Sequence, residues 1–269
     1  IPPAFMPIGA ERLFNLHMRR FAAGERVVLT LPRNFGIGPM DQQVLDEFGV
    51  EVLRTDPSIN LCDAISAALA LVDDDAPVRI LFGDTLVSLE EPLSGQSDYV
   101  LVRPAQIDYL WTYCEEIDGA AHFFAEDRIP VAAPNAICGY FSFSNIDLLR
   151  EAFVQRREYL HDALNYYSAQ CRLMPVVAKQ WHDFGHLTLF YKSKREVLIA
   201  RAFNSLEAND YTVVKTSSQT QKMQAEASWY ESLPRKINLH APRYLGRVNK
   251  NFQAGYELEY LHLPTLSDM

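Results

Sequence analysis

The 269-residue chain predicts an α/β protein: a mixed, mainly parallel sheet with helices on both faces, followed by a small α+β unit. Three observations carry this. Apolar strand-like runs and amphipathic helical runs alternate over residues 1–90, the pattern of βαβ units with right-handed crossovers. The middle of the chain alternates apolar and polar residues between turns, the pattern of antiparallel strands. Near Asn204 the order restarts as strand, helix, strand. Two domains are therefore expected, 1–203 and 204–269.

Taken in order, "ERLFNLHMRRFAA" (11–23) sets Leu13, Leu16, Phe21 and Ala22 on one side of a helix that Gly24 ends. "RVVLTLP" is a strand, "PMDQQVLDEFG" a short helix closed by Gly49, and "VEVLRT" the next strand. "NLCDAISAALALV" is a helix with a small-residue face, and "VRILFGDTLV" a strand running into a loop. "DYVLVRPA", "YLWTYCEE", "GAAHFFAEDRIP" and "AICGYFSFS" read as strands. One long helix is expected over "NIDLLREAFVQRREYLHDALNYYSAQ", then a strand over "RLMPVVAKQ" that delivers "WHDFGH". "LTLFYKSKREVLIARAFN" starts as a helix. In the last unit "DYTVVKTSS" is a strand, "QTQKMQAEASWYESLP" a helix stopped by Pro234, and "GYELEYLHL" a strand.

With 48% hydrophobic residues and 12% aromatic, the chain has ample material for a core and no stretch that reads as disordered. A net charge of −9 disfavours general binding of nucleic acid or anionic membrane, but leaves room for a small polyanion held locally by a metal ion or a few basic side chains. The four cysteines (Cys62, Cys114, Cys138, Cys171) form no C-x-x-C and sit in apolar segments, which suggests buried thiols in a reducing cytoplasm. No run of ~18 apolar residues marks a membrane span, and no signal peptide is visible. The chain opens "IPPAFMPIGAERL" and stops just after an apolar strand, so it reads as a piece of a longer polypeptide.

Two aspartates stand out. In open parallel sheets ligands bind beyond the carboxyl ends of strands, and "RILFGD" is an apolar strand ending on Gly83 and Asp84. Asp84 either stands at the mouth of that crevice or caps the following turn. Asp183 also follows an apolar strand and is followed closely by Gly185. If the two strands share a sheet, the carboxylates converge, as is usual for holding Mg²⁺ beside substrate phosphates. A zinc site on His182 and His186 as i, i+4 ligands would need a helix through Gly185 and a third ligand cluster, which is not evident. No serine or cysteine motif points to a nucleophile.

Four segments, falling along the chain in the order of the family's motifs, resemble the sugar-phosphate nucleotidyltransferases over about residues 1–200. "VRILFGDTLV" is similar to that family's strand and G-D signature, and "PNAICGYFSFSNIDLL" to the segment that lines its sugar pocket. "WHDFGH" resembles its W-x-D-x-G-T motif, with His186 where threonine is usual. "PPAFMPIGAERLFNLHMRRF" resembles the segment after its nucleotide loop. The resemblance implies a Rossmann-like fold of the nucleotide-diphospho-sugar-transferase kind. It also implies attack of a phosphorylated sugar or alcohol on the α-phosphorus of a nucleoside triphosphate, releasing pyrophosphate. By resemblance Asp84 and Asp183 are catalytic and hold Mg²⁺. Asn60 and Leu61 lie near base and ribose, and Gly83, Asn135, Gly139, Tyr140 and His186 line the substrate. The family's G-x-G-x-R loop would precede Ile1, and its P-K-P lysine is replaced by Ala4. Its E-K-P lysine has no clear counterpart. "AEDRIP" offers Glu126 and Arg128 there, with Arg128 either a substitute cation or a solvated hairpin arginine.

"YTVVKTSSQTQKMQAEASWYESLP" resembles the small lobe of aminoglycoside- and choline-kinase-like phosphotransferases. This implies an ATP-contacting Lys215 oriented by Glu226, with the rest of such a kinase after Met269. Together the resemblances imply a cytoplasmic enzyme that activates a precursor of capsule or surface polysaccharide, with self-association left open. The alternative is a catalytically incomplete relative that binds a nucleotide or sugar nucleotide as scaffold or regulator. A glycosyltransferase fits less well, because Asp84-Thr85-Leu86 lacks the second acid of D-x-D.

Overall fold

The computed structural model describes residues 1–8, 11–21, 24–73, 77–88, 98–105, 111–125, 135–201, 205–209, 211–250 and 252–261. The chain forms two compact units: Ile1–Met6 with Arg12–Gly185, and Pro7–Glu11 with His186–Met269. Residues 7–12 hold two short strands, β1 (Pro7–Ile8) and β2 (Glu11–Arg12).

The first unit begins with helix α1 (Leu13–Met18), strand β3 (Val28–Pro32), α2 (Pro39–Glu47) and β4 (Glu51–Thr55). β3 and β4 pair in parallel across the α2 crossover. Then come α3 (Leu61–Leu69), β5 (Val78–Leu81), β6 (Thr85–Ser88), β7 (Tyr99–Pro104), β8 (Tyr113–Ile117), β9 (Ala120–Phe124) and β10 (Asn135–Phe143). Helices α4 (Ile146–Gln155) and α5 (Leu160–Gln170) and strands β11 (Met174–Val177) and β12 (Gln180–Asp183) complete it.

The six-stranded sheet runs β11-β7-β10-β8-β9, with β5 also on β10. β11 lies parallel to β7, while β10 is antiparallel to β5, β7 and β8, so the sheet is mixed. Side chains alternate across it as the two-residue period of a strand requires. Val100, Val102, Ile137, Phe141 and Phe143 enter the core under α3, α4 and α5. Tyr99, Leu101 and Cys138 enter a core on the opposite face with Val87 and Ala178. A third cluster seats Phe5, Phe14 and Met18 against Leu31 and Leu45.

Three expected elements are altered. The helix expected over 11–23 shortens to α1. "VRILFGDTLV" breaks into β5 and β6, which join different ladders. The single helix expected over 145–170 is two, because Arg156 leaves helical geometry (φ −126°, ψ 48°). Both halves bury apolar residues in one core, Leu149 and Phe153 from α4 and Leu164 and Tyr167 from α5. A straight helix of that span, ~39 Å long, could not lay both faces on one sheet.

The second unit contains α6 (Leu187–Arg201), β13 (Ser205–Ala208), β14 (Thr212–Ser217), α7 (Thr220–Glu231), α8 (Arg235–Asn238), β15 (Tyr244–Lys250) and β16 (Gln253–Glu259). Its sheet is antiparallel in the order β13-β14-β16-β15, and Met223 and Ala227 of α7 pack on Tyr256. No described helix is long and apolar enough to cross a membrane.

Candidate active site

The break between β5 and β6 creates the site. At Leu81 the chain leaves β10, and Phe82 N–H makes the last bond, 2.8 Å to the Gly139 carbonyl. Gly139 has φ +74°, and a Cβ there would lie 2.8 Å from the Phe82 ring. Glycine is thus required by the backbone and by Phe82, which fills the space a side chain at 139 would need. Three residues of β10 between Ile137 and Phe141 lie opposite one of β7 between Val102 and Val100 at this bulge. Gly83 lies against Ala4.

β6 then pairs antiparallel with β12, Thr85 opposite Asp183 and Val87 opposite Trp181. The ladder extends one bond further, since Phe184 N–H donates to the Asp84 carbonyl at 2.8 Å. Asp84 and Asp183 are therefore diagonal neighbours on strands about 4.8 Å apart. The Asp84 carboxylate rests over Gly185: a Cβ at 185 would be 2.5 Å from Asp84 Oδ2. Asp183 is 8% exposed and Phe184 beside it 1%.

Thr85 fixes this strand end. Its hydroxyl donates to the Cys138 carbonyl (2.8 Å) and accepts from Trp181 Nε1–H (2.8 Å). Its carbonyl accepts a 2.7 Å hydrogen bond from His17 Nε2. A carbonyl only accepts, so this nitrogen carries the proton. Burial pushes the His17 pKa down to about 4, with Arg20 adding to the effect and the Thr85 hydrogen bond opposing it. The imidazole is neutral at pH 7. Three elements distant in sequence thus converge on the residue next to Asp84 and opposite Asp183. Trp181 was part of the quoted motif; His17 carried no sequence signal, because its partner lies 68 residues away.

Hard carboxylate oxygens at a strand end suit Mg²⁺, which is bound through one or two protein carboxylates plus substrate phosphates. The Gly185 cradle supports the fit, because it holds the Asp84 carboxylate at the strand end that carries Asp183. The zinc reading fails on backbone geometry: His182 lies in strand β12, so no helix presents it four residues from His186. Among the described residues no group of three or more histidine, cysteine or acidic side chains is arranged for a metal.

The remaining expected residues are spread more widely. Asn60 caps α3, its Oδ1 accepting from Asp63 N–H at 2.7 Å. Leu61 lines a cavity of about 930 Å³, with walls from β9 and the start of α5. Asn135 opens β10 between Pro104 and Cys114. Tyr140 stacks on Tyr99 (6.1 Å) and borders a separate cavity of about 250 Å³ with His17, Arg20 and Arg79. Neither aspartate is among the lining of these two cavities. The His186 carbonyl accepts from Phe190 N–H at the start of α6. Glu126 and Arg128 lie outside the described residues. The cysteines form no disulfide, and burial pushes the Cys114 thiol up to about 12.

In the second unit Lys215 Nζ meets Glu226 Oε2 at 2.6 Å, and Tyr256 O–H donates to the same oxygen at 2.7 Å. Burial opposes ionisation of Glu226, but these two bonds hold its carboxyl below the usual range.

No protein-family model matches the chain, and no curated relative does. Solved structures do. A Bacillus anthracis structure assigned as a glucose-1-phosphate thymidylyltransferase aligns with TM-score 0.56 at 13% identity, over 72% of this chain and 85% of that one. A nucleoside-diphosphate-sugar pyrophosphorylase from Vibrio cholerae RC9 aligns with TM-score 0.56 at 14% identity, over 72% and 92%. A UDP-glucose pyrophosphorylase from Acinetobacter baumanii gives TM-score 0.54 at 16% identity, over 76% and 88%. The chain has the nucleotidyltransferase fold. The α/β class expected from alternating strands and helices is the class observed.

Proposed function

We propose that the chain catalyses nucleotidyl transfer. A phosphate oxygen of a phosphorylated sugar or alcohol attacks the α-phosphorus of a nucleoside triphosphate. The bond from that phosphorus to the α,β-bridging oxygen breaks, pyrophosphate leaves with the electron pair, and an NDP- or CMP-linked product remains. The observation that carries this reading is the Asp84 carboxylate seated over Gly185, beside the strand end that carries Asp183.

Asp84 and Asp183 are the residues that would hold Mg²⁺. When bound, the ion neutralises charge on the phosphates. The chain's own contribution is placement: the Thr85 hydrogen bonds fix the strand end, and burial of Phe184 anchors the turn into Gly185. Positioning of this kind is the main lever for phosphoryl and nucleotidyl transfer, which asks little covalent work of a protein. We assign the activity to residues 1–203 and a role in making a precursor of surface polysaccharide.

The test is a pyrophosphate-release screen over four nucleoside triphosphates and a panel of phosphorylated sugars and alcohols. Turnover is expected with at least one pair, and Asp84→Ala or Asp183→Ala should abolish it. Equal turnover in wild type and both variants would remove the site. Nucleotide binding without turnover would favour a scaffold or regulatory role.

A second reading concerns residues 204–269. The Lys215–Glu226 pair, at 2.6 Å between a strand and the following helix, supports a phosphotransferase small lobe in which Lys215 meets ATP phosphates. ATP binding lost in Lys215→Met and retained in Asp84→Ala would support it.

A further inference from the structure

The cavity of about 930 Å³ in the first unit is built from a narrow set of chemistries. Its lining includes the aromatic residues His122, Phe124, Tyr159 and His161, and two carboxylates, Glu158 and Asp162; Phe123, also in the lining, buries its ring in the core. One wall is preformed. Asn165 of α5 clamps Phe123 of β9 through both main-chain groups, accepting from its N–H and donating to its carbonyl, each at 2.8 Å. Ser168 adds a 2.7 Å bond to the Ala121 carbonyl. His122 and Phe124 meet edge to face at 4.8 Å, and Tyr159 and His161 lie 5.5 Å apart, so these rings restrain one another.

Among the described lining residues the charges are unbalanced. Arg157, next in sequence to Glu158, is committed to Asp63 at 3.0 Å. Among the described residues no lysine or arginine pairs with Glu158, and Asp162 has only His161, at 3.6 Å. No lysine or arginine is in the described lining. A phosphate here would face two carboxylates. A cation would meet ring faces, which attract it through their quadrupoles, and acids to balance its charge.

We propose that this cavity binds an organic cation, a ligand carrying a quaternary or highly alkylated ammonium group. A quaternary head suits it better than a primary one, because a ring-walled cavity offers polarisable faces rather than the several acceptors that an –NH₃⁺ group requires. The site stands apart from Asp84 and Asp183, and its test needs no nucleotide.

Isothermal titration of the full chain with choline, and with its uncharged isostere 3,3-dimethylbutan-1-ol, reads the proposal directly. Choline should bind saturably, and the isostere about tenfold more weakly or worse. Glu158→Gln combined with Asp162→Asn should weaken choline about tenfold and leave the isostere unchanged. Tyr159→Ala, at an exposed position that spares the core, should weaken choline several-fold. Asp84→Ala should bind choline as wild type does. Equal affinity for the two ligands, absence of saturable choline binding, or tighter binding of an uncharged nucleoside than of choline would overturn it.

Discussion

The strand end that carries Asp183 and the Lys215–Glu226 pair place charged groups by opposite means. At the first, neutral hydrogen bonds do the positioning. Thr85 accepts from His17 and Trp181 and donates to Cys138, and Asp84 is seated by the absence of a side chain at Gly185. At the second, two charges position one another, with Tyr256 as a third partner. The difference teaches where function can be lost without loss of fold. A scaffold of neutral hydrogen bonds can be altered without touching the carboxylates themselves, whereas an ion pair joins positioning and charge in the same two side chains.

The sharpest way to break this comparison is Gly185→Ala. The added Cβ would sit 2.5 Å from Asp84 Oδ2, so the carboxylate must move. A displacement of that order is expected to cost transfer activity on the order of 100-fold. The melting temperature should change little, because Gly185 is exposed. Pyrophosphate release and a thermal melt on one preparation separate the two effects. Unchanged turnover would show that the Asp84 position is not critical.

Thr85→Val comes next and acts on stability. It keeps the volume but leaves the Cys138 carbonyl and the Trp181 indole N–H without their partner, in a residue only 3% exposed. Two orphaned buried groups cost about 2–5 kcal/mol. Urea denaturation measures this, and Thr85→Ser should recover most of it. A loss under 1 kcal/mol would mean that the strand end does not depend on this node.

How far the sequence revealed these two regions differs for a physical reason. Lys215 and Glu226 are 11 residues apart on consecutive elements; the kinase-lobe resemblance implied their pairing, and that short separation lets β14 and α7 bring them together. Asp84 and Asp183 were legible as acids that follow apolar strands close to a glycine, but their common ladder was not, because β6 and β12 pair antiparallel apart from the sheet that holds β5. His17 was not, because a buried histidine on an apolar helix face looks like any core position until its distant partner is known. The break at Arg156 was equally hidden: each half of residues 145–170 keeps a helical period, and only the shared core shows that the chain must turn. The antiparallel strands of the middle of the chain were legible from their alternation between turns, and β10 pairs antiparallel with β5, β7 and β8.

His17 supplies a pH test of the neutral scaffold. Its pKa falls from 6.5 to about 4 on folding, so the unfolded state binds the extra proton between those values. Stability from this group is complete above pH 6.5 and is lost as pH falls towards 4. The full effect is about 3 kcal/mol. His17→Gln should flatten that part of the stability–pH curve. A slope equal to wild type would show that His17 does not govern the acid side of the node.

The smallest effect is expected at the ion pair. Lys215 and Glu226 are 23% and 28% exposed, so solvent screens them, and Lys215→Met should cost about 1 kcal/mol. The folded Glu226 carboxyl is held below its ordinary value, so its contribution is present above that value and lost as pH falls through the depressed one. Removing Lys215 should shrink this acid-side loss, while Tyr256 keeps part of it. Lys215→Arg should preserve the pair and the curve. If Lys215 also meets a triphosphate, Lys215→Met will abolish ATP binding out of proportion to this small stability change. If it only ties β14 to α7, ATP titration will give the same result in both proteins. A denaturation series run beside an ATP titration therefore decides whether the charge in the second unit is spent on the fold or held for a ligand.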